Sequence, residues 1–397
     1  GGTSITTGYA ASATGFLPWA AKPISGISVF NSTLDAQGGN IVVRGALNSQ
    51  IGNVSGRAVI LTSSTVKTTS AGTVSVDGTA GNFAGTNPWG VVIETSSVVE
   101  TASGSINLTG TGSIAKTNAR GFAIVGGSSI QSATGAIAIV DNTDGTSSNY
   151  TGTYIANSSK FGKSALASSS SNITISADKI QFDASANNFT TSGNVIFEPY
   201  LNTFRNEFIT SGLVFGNQVQ GLTIGKSTNT ANITLSSAVS IAGPITAYGG
   251  NIAVNSNLSS TLSTGIGISL NGTKITQNTN INVVTGGSHI DYVVTNAPFT
   301  AGADDGIGIG QNALVDAAGG NISLNASYAS TGVAGTNSSL YDNLIRFSQD
   351  SRIVTNGSGT ITIIGDGTNN TATGNAVWTI SLLANNCRIQ TASGAIT

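Results

Sequence analysis

Two short acidic motifs contain the residues of this chain whose types and spacing best suit chemistry. Asp141 and Asp144 stand three positions apart in the run DNTDG, and Asp304 and Asp305 are adjacent in DDG. A pair of carboxylates can hydrolyse a glycosidic bond, with one group as acid and the other as base or nucleophile. The same oxygen atoms also suit Ca²⁺. These four aspartates are therefore the candidates for a catalytic or a calcium site.

The order and separation of the two motifs argue against hydrolysis. Both resemble pieces of the polygalacturonase signature, whose parts lie on neighbouring coils of a β-helix and are followed by Gly-His-Gly. Here the motifs lie far apart in the chain, and the single histidine, His289, precedes the second one. At about 4.8 Å per coil, four or five coils separate the carboxylates by roughly 20 Å, too far to act on one bond. We predict no catalytic residue, and a polysaccharide-acting enzyme remains an alternative.

The sequence also lacks the usual ligand patterns of metal sites. Neither acidic motif follows the 12-residue calcium loop or the glycine-rich nonapeptide repeat, so we interpret all four aspartates as parts of solvated turns. They remain the candidates for Ca²⁺, and no other cofactor is predicted. One histidine and one cysteine in separate parts of the chain exclude a zinc site. Cys387, two residues before Ile389, is predicted to be a small buried hydrophobe.

Composition narrows the class of protein. Charged residues make up 8% of the 397 residues, the net charge is −2, and the 15 basic residues are scattered singly, so nucleic-acid binding is not predicted. The apolar runs are shorter than the roughly 18 residues of a membrane span, so no membrane insertion is predicted. A hydrophobic content of 39% at regular spacing argues against disorder. Hydroxyl and amide groups, instead of charged groups, are therefore expected to contact the solvent.

The elements that would position any site come from an internal repeat. The pattern G-x-I-x-I, with related apolar residues, recurs as GSINL at 104–108, GAIAI at 135–139, GNISL at 320–324 and GTITI at 359–363. It starts at positions 39, 72, 104 and 135, and again at 320, 359 and 394, so its step along the chain is nearly constant in the first series and slightly longer in the second. Each repeat reads as a short β-run, a turn, one apolar residue, a second turn and then the pattern itself.

This periodicity predicts an all-β fold, a parallel β-helix in which each coil buries its apolar face against its neighbours. A β-sandwich is the alternative, but it needs hairpins roughly every 8–12 residues, far more often than the pattern recurs. The residues predicted to face inward are Val98, Ile106, Leu108, Ile130, Ile137, Ile139, Ile353, Ile361 and Ile363.

The repeat is interrupted once, at about 180–225, by the most aromatic stretch of the chain. We interpret this stretch as the junction between a first array, 1–225, and a second array, 226–397. Its aromatic residues are predicted to plug a wider coil, with a functional patch as the alternative. Because the chain stops inside a repeat, at Gly394–Thr397, we expect it to be a fragment of a longer rod that continues beyond the C-terminus.

The run 221–258, GLTIGKSTNTANITLSSAVSIAGPITAYGGNIAVNSNL, with FEPY upstream, resembles the haemagglutinin-type repeats of very large Bacteroidota surface proteins, including the mobile adhesins of gliding flavobacteria. The coil pattern is similar to that of filamentous haemagglutinins and other right-handed parallel β-helix exoproteins. The resemblance implies a secreted, extracellular, surface-attached adhesive fibre without catalysis. It implies surface glycans or other adhesion targets, and outer-membrane secretion and anchoring machinery, as partners. No binding residue carries over.

Function is therefore expected to rest on shape, as a spacer that projects a binding tip or as a fibre that adheres through many weak contacts. Attachment, including gliding on surfaces, suits both hypotheses. The sequence leaves the ligand open between a glycan, a host protein and an abiotic surface. A surface-layer lattice protein is the rival structural hypothesis, and it requires lateral contacts between copies.

Overall fold

The structure is a computed structural model that describes residues 3–9, 24–47, 55–81, 83, 86–114, 117–162, 169–297, 306–328, 342–366, 377–382 and 386–397. Over these ranges the regular elements are all β-strands, and no helix is long and apolar enough to cross a membrane. The chain divides into two compact units, Gly1–Val219 and Gln220–Thr397, here called unit one and unit two.

The strands are short and are separated by turns. In unit one they are β1 Thr3–Tyr9, β2 Ile24–Phe30, β3 Thr33–Asp35, β4 Ile41–Ala46, β5 Ser55–Thr62, β6 Thr65–Thr68, β7 Val74–Thr79, β8 Thr86–Glu94, β9 Val98–Thr101, β10 Ile106–Thr111, β11 Arg120–Ile124, β12 Ser129–Ser132, β13 Ile137–Asp141, β14 Thr153–Ile155, β15 Lys160–Gly162, β16 Ile173–Ala177, β17 Ile180–Phe182, β18 Asn187–Phe189, β19 Asn194–Glu198, β20 Phe208–Ile209 and β21 Leu213–Phe215.

Unit two continues the same alternation of short strands and turns. Its strands are β22 Gly221–Ile224, β23 Ile233–Leu235, β24 Val239–Ile241, β25 Ile245–Tyr248, β26 Asn251–Val254, β27 Leu258–Ser260, β28 Ile266–Gly272, β29 Lys274–Gln277, β30 Asn282–Thr285, β31 His289–Ala297, β32 Ile307–Ile309, β33 Leu314–Asp316, β34 Ile322–Tyr328, β35 Asp342–Phe347, β36 Arg352–Thr355, β37 Ile361–Asp366, β38 Val377–Leu382 and β39 Arg388–Thr391.

Within each unit, strands that stand three places apart in the chain pair with one another, so the strands fall into three sheets. In unit one this gives sheet A (β1, β4, β7, β10, β13, β16, β19), sheet B (β2, β5, β8, β11, β14, β17) and sheet C (β3, β6, β9, β12, β15, β18, β21). In unit two it gives sheet D (β22, β25, β28, β31, β34, β37), sheet E (β23, β26, β29, β32, β35, β38) and sheet F (β24, β27, β30, β33, β36, β39). The pairings within these sheets are parallel. Successive coils thus add their strands to three parallel sheets, which confirms the parallel β-helix and excludes the β-sandwich.

The length of a coil changes along the chain. Successive stacked positions in sheet A are Ile41, Val74, Ile106, Ile137, Ile173 and Val195. In sheet D they are Ile245, Ile268, Ile290, Ile322 and Ile361. The coil that ends at Val195 and the two coils between Ile245 and Ile290 are clearly shorter than the others in these series. The first of these short coils lies in the stretch where the sequence pattern is interrupted.

The predicted core is largely confirmed. Ile106, Leu108, Ile130, Ile137, Ile139, Ile353 and Ile361 are all fully buried. The prediction is wrong for Val98, which is half-buried, while its neighbour Val99 is fully buried. Successive side chains of a strand point to opposite faces, so misplacing the inward position by one residue exchanges them. Ile363 is half-buried as well.

The glycine of the repeated pattern is required by the close approach of successive coils. A Cβ atom on Gly104 would lie 1.9 Å from the carbonyl oxygen of Gly72, and one on Gly135 would lie 1.9 Å from that of Gly104. Both distances are far below van der Waals contact, so only glycine fits this corner. In the coil of Gly104 the hydroxyl of Thr101 also donates a 2.6 Å hydrogen bond to the Gly104 carbonyl oxygen.

Aromatic residues of the interrupted stretch, together with Phe161, fill the interior of unit one. The rings of Phe161 and Phe189 stack with centroids 4.6 Å apart, and the ring of Phe197 lies 5.2 Å from Phe189 and 5.4 Å from Phe208. All four side chains are buried, whereas Tyr200 is 42% exposed. Most of this aromatic material therefore packs as core, as predicted for a plug. The predicted wider coil is wrong, because the coil from Ile173 to Val195 is shorter than those before it.

Candidate functional site

Asp141 is enclosed in the core of unit one. It is the last residue of β13, where Ile137, Ile139 and Asp141 share the inward face, and it is 1% exposed. The interpretation as part of a solvated turn is therefore wrong for this residue, because the strand alternation carries the side chain inward. Its carboxylate accepts hydrogen bonds from Gly121 N (3.1 Å), Thr143 N (3.1 Å), Thr153 Oγ1 (2.9 Å) and Tyr150 Oη (3.2 Å).

The surroundings of Asp141 suit a structural role. Burial raises the pKa of its carboxyl group, and the hydrogen bonds from Thr143, Thr153 and Gly121 only partly oppose that shift. A Cβ atom on Gly121 would lie 2.0 Å from Oδ1 of Asp141, so the glycine makes the space that this carboxylate occupies. With both oxygens bonded to protein donors and almost no exposed surface, the group has no room for a substrate or a cation.

The other predicted acidic positions do not complete a site. Asp144 lies in an exposed turn, where Oδ1 accepts hydrogen bonds from Thr146 N (2.9 Å) and Thr146 Oγ1 (2.6 Å), and these bonds lower its pKa. Asp304 and Asp305 lie outside the described residues. Within the described ranges, no group of three or more His, Cys, Asp and Glu side chains is placed to hold a metal ion.

The single histidine and the single cysteine take part in contacts between coils. Nδ1 of His289 accepts a 2.9 Å hydrogen bond from the backbone N–H of Asn321. Cys387 is half-exposed, so the prediction of a buried side chain is wrong, and its Sγ lies 3.1 Å from the carbonyl oxygen of Ser348. Both residues therefore connect neighbouring coils.

The structure brings together a feature that the sequence analysis missed, a row of cationic and aromatic side chains on the outer face of sheet B. Arg57 and Arg120 are both in register with Trp89, on the coils either side of it. The guanidinium carbon of Arg57 lies 4.0 Å from the centroid of Trp89, and that of Arg120 lies 5.3 Å from Trp89 and 4.5 Å from Tyr154. We call Arg57, Trp89, Arg120, Tyr154 and the neighbouring Lys179 the cationic strip.

Backbone carbonyl oxygens fix one Nη atom of each arginine of the strip. Nη1 of Arg57 donates to the carbonyl oxygens of Gly56 (3.1 Å) and Asn87 (3.0 Å), and Nη1 of Arg120 donates to Gly152 (3.4 Å). The Nε atoms of both arginines are buried without a partner. The ion pairs of the described residues, Arg44 with Asp77 and Lys67 with Asp35, lie elsewhere and leave the strip without a carboxylate partner.

The cations of the strip act on one another. Burial, with a smaller contribution from Arg120, lowers the pKa of Arg57 to about 10, against attraction from Glu94. Burial and then Arg120 lower the pKa of Lys179. Burial also lowers the pKa of Arg120, against attraction from Tyr154 and Asp141. An arginine with a pKa of about 10 is still protonated at neutral pH, so the strip carries like charges side by side in a chain with few charges.

A cleft of about 480 Å³ adjoins one end of the strip. Its polar lining consists of Tyr154, Lys179, Gln181, Asn206, Glu207 and Ser211. Amide and hydroxyl groups beside an aromatic ring and an ammonium group suit a polar, oxygen-rich ligand.

The sequence contained one usable signal for this region. Arg57, Trp89 and Arg120 follow one another at nearly the step of the repeated pattern, as their positions show. Applying that step to outward positions, and not only to the inward apolar ones, would have aligned the two arginines with the tryptophan.

Unit two has a cleft of similar size, about 490 Å³, on the outer face of sheet E. Thr276, Gly308 and Arg346 are in register across three coils there, and a Cβ atom on Gly308 would meet nothing within 4 Å. The remaining lining is mostly amides and hydroxyls, from Asn278, Thr279, Gln311, Ser348 and Gln349. The described residues of this lining include no aromatic side chain and one charged side chain, so the cleft offers a ligand fewer distinctive contacts than the cationic strip.

Both surfaces offer charged and hydrogen-bonding groups to a ligand. Comparison of the chain with protein-family models, with curated proteins and with solved structures gives no match.

Proposed function

We propose that this chain is a non-catalytic structural and adhesive segment of a secreted, surface-attached fibre, and that it mediates attachment to surfaces, including attachment during gliding. The observation that carries the proposal is the cationic strip, a row of charged and aromatic side chains displayed across successive coils. Weak contacts repeated along a stack of coils add up through effective concentration, which is how such a surface holds a ligand.

The rival functions receive less support. A polysaccharide-acting enzyme needs two carboxyl groups that face a substrate, but Asp141 is enclosed and Asp144 stands in a separate exposed turn. A surface-layer protein needs broad faces for lateral contacts. Against that requirement, the exterior of the described strands is dominated by hydroxyl and amide groups.

A bead assay tests the proposal. The purified chain is coupled to polystyrene beads, and retention under flow is measured on glass and on surfaces coated with acidic or neutral polysaccharides, with albumin-coated beads as control. We expect retention above the control on at least one surface and no release of reducing ends from the polysaccharides. Retention equal to that of albumin on every surface would overturn the adhesive function, and enzymatic release of sugar ends would overturn the non-catalytic one. Antibody labelling of intact cells provides the check on surface exposure.

A further inference from the structure

We propose that the cationic strip binds carboxylated polysaccharides, with Arg57, Arg120 and Lys179 pairing with uronate carboxylates. The inference rests on the proposed adhesive function and names the ligand class of that surface. It commits to a carboxylate-bearing sugar polymer because the strip combines positive charge with hydroxyl- and amide-binding groups.

Charge complementarity is the first argument. Charged residues are 8% of this chain and the net charge is −2, yet three cations stand together on one face. Glu94 attracts Arg57 and Asp141 attracts Arg120, but neither forms an ion pair with the strip. Like charges held together without a partner destabilise the folded chain. An anionic ligand would relieve this repulsion on binding.

Preorganisation is the second argument. The flat faces of Trp89 and Tyr154 hold the guanidinium groups by cation–π contact, so little side-chain freedom remains to be lost on binding. Nη1 of Arg57 is already bonded to two backbone carbonyl oxygens and its Nε is buried, so Nη2 is the atom that can donate to a carboxylate oxygen. Arg57 and Arg120 lie two coils apart, which is about 10 Å at the usual strand spacing. Regularly placed carboxylates along a sugar chain can reach both groups.

The third argument concerns the kind of sugar. Trp89 lies between two guanidinium groups, so neither face of its ring is open for stacking on a neutral sugar. Recognition must therefore depend on charge at the strip and on hydrogen bonds in the adjoining cleft. Gln181, Asn206, Ser211 and Glu207 line that cleft beside Lys179 and can bind sugar hydroxyls, with the Glu207 carboxylate as an acceptor only. A neutral glucan lacks the carboxylates, and a nucleic acid offers phosphates with a different pattern of hydroxyl groups.

Affinity gel electrophoresis of the whole chain through gels containing polygalacturonate, dextran or single-stranded DNA tests the inference. The strip variant is Arg57→Gln/Arg120→Gln. The matched control is Arg44→Gln/Lys67→Gln, which also removes two positive charges from unit one, at the exposed ion pairs. We expect polygalacturonate to retard the wild type and dextran not to. Because hydrogen bonds to charged groups are among the stronger ones, the strip variant should bind at least about tenfold more weakly, and the control should change less than about twofold.

Two further variants keep the test decisive if the strip variant unfolds. Lys179→Gln is outside the stacked rings and should weaken binding about two- to fivefold. Arg57→Lys/Arg120→Lys keeps the charge but loses the planar groups that lie against Trp89 and Tyr154, and it should fall between the wild type and the strip variant. Equal losses in strip and control variants, or equal retardation by DNA and polygalacturonate, would show binding by general charge and would overturn the inference. Beads that adhere in the flow assay without any retardation by polygalacturonate would overturn the inference alone, whereas beads that fail on every surface would overturn the proposed function.

Discussion

The hydroxyl of Tyr292 donates a 2.9 Å hydrogen bond to Oε1 of Gln277, and both side chains are fully buried inside unit two. Nε2 of the same glutamine donates to the carbonyl oxygens of Ile281 (2.8 Å) and Leu314 (3.0 Å). One buried amide therefore uses its acceptor and both donors to connect neighbouring coils. A buried polar group that is completely satisfied stabilises one particular register, because any shift leaves it unpaired.

Loss of the tyrosine hydroxyl should be measurable. Tyr292→Phe leaves Oε1 of Gln277 buried without a donor, and we expect a loss of about 1–2 kcal/mol in the free energy of unfolding. Gln277→Leu strands the tyrosine hydroxyl and two carbonyl oxygens, so its cost should be larger. Urea unfolding of the two single variants and the double variant gives the coupling energy. Costs that simply add would show that the two side chains do not interact.

Glycine at the corner of the repeat should be far less replaceable than glycine on an outer face. Gly104→Ala places a methyl group 1.9 Å from the Gly72 carbonyl oxygen, which forces two coils apart, and we expect a loss of at least about 2 kcal/mol. Gly308→Ala is the matched control, since its new methyl group meets nothing within 4 Å. Its stability should stay within about 1 kcal/mol of the wild type or rise slightly. Thermal unfolding of both variants checks the pair, and equal destabilisation would contradict the close approach of the coils.

The aromatic plug should contribute heavily to the stability of unit one. Phe197 lies at its centre, with ring centroids 5.2 Å from Phe189, 5.4 Å from Phe208 and 5.7 Å from Phe182. Phe197→Ala leaves a large cavity and should cost about 3–5 kcal/mol in chemical unfolding. Phe30→Ala removes the same atoms from a side chain that is 67% exposed, and its cost should stay below about 0.5 kcal/mol. A small effect of the first substitution would mean that the plug is loosely packed.

The fold was predictable because its signal is repeated. Strands in which every second residue is apolar recur at a nearly constant step along the chain. This pattern places Ile106, Ile130 and Ile137 in the core. The error at Val98 has a physical source. In a short strand with two adjacent valines, either one can face inward by composition, and only the pairing of Ile130 with Val99 decides between them.

The candidate site was much less predictable. Arg57 and Trp89 are distant in the sequence, and their contact depends on the register of two coils. The burial of Asp141 was not predicted, for a related reason. A carboxylate followed by Asn-Thr-Asp-Gly looks like part of a polar turn, and its burial is explained by donors such as Gly121 and Thr153, which approach from other strands. Neither the contact of Arg57 with Trp89 nor the hydrogen bonds to Asp141 can be predicted from neighbouring residues in the sequence.

Asp141 should give unit one a distinctive pH dependence. Burial raises the pKa of this carboxyl group above its ordinary value of 3.8, so the folded state favours the protonated form. The stabilising contribution is then fully present below the ordinary value and is lost as the pH rises through the higher folded-state pKa. Relative to Asp141→Asn, which cannot ionise, the wild type should gain stability as the pH falls from 7 to 4.

The measurement is the difference in unfolding free energy between wild type and variant, from urea unfolding at pH 7, 6, 5 and 4. Other carboxyl groups are common to both proteins and cancel in that difference. Asp144→Asn provides the control with the opposite sign. Hydrogen bonds from Thr146 lower the pKa of Asp144, so its stabilising contribution is present at neutral pH and is lost only as the pH falls through that lowered value. The difference for Asp144 should therefore stay flat between pH 7 and 5. If the difference for Asp141 is flat as well, its carboxylate is ionised inside the core at every pH tested, and the four hydrogen bonds outweigh the cost of burial.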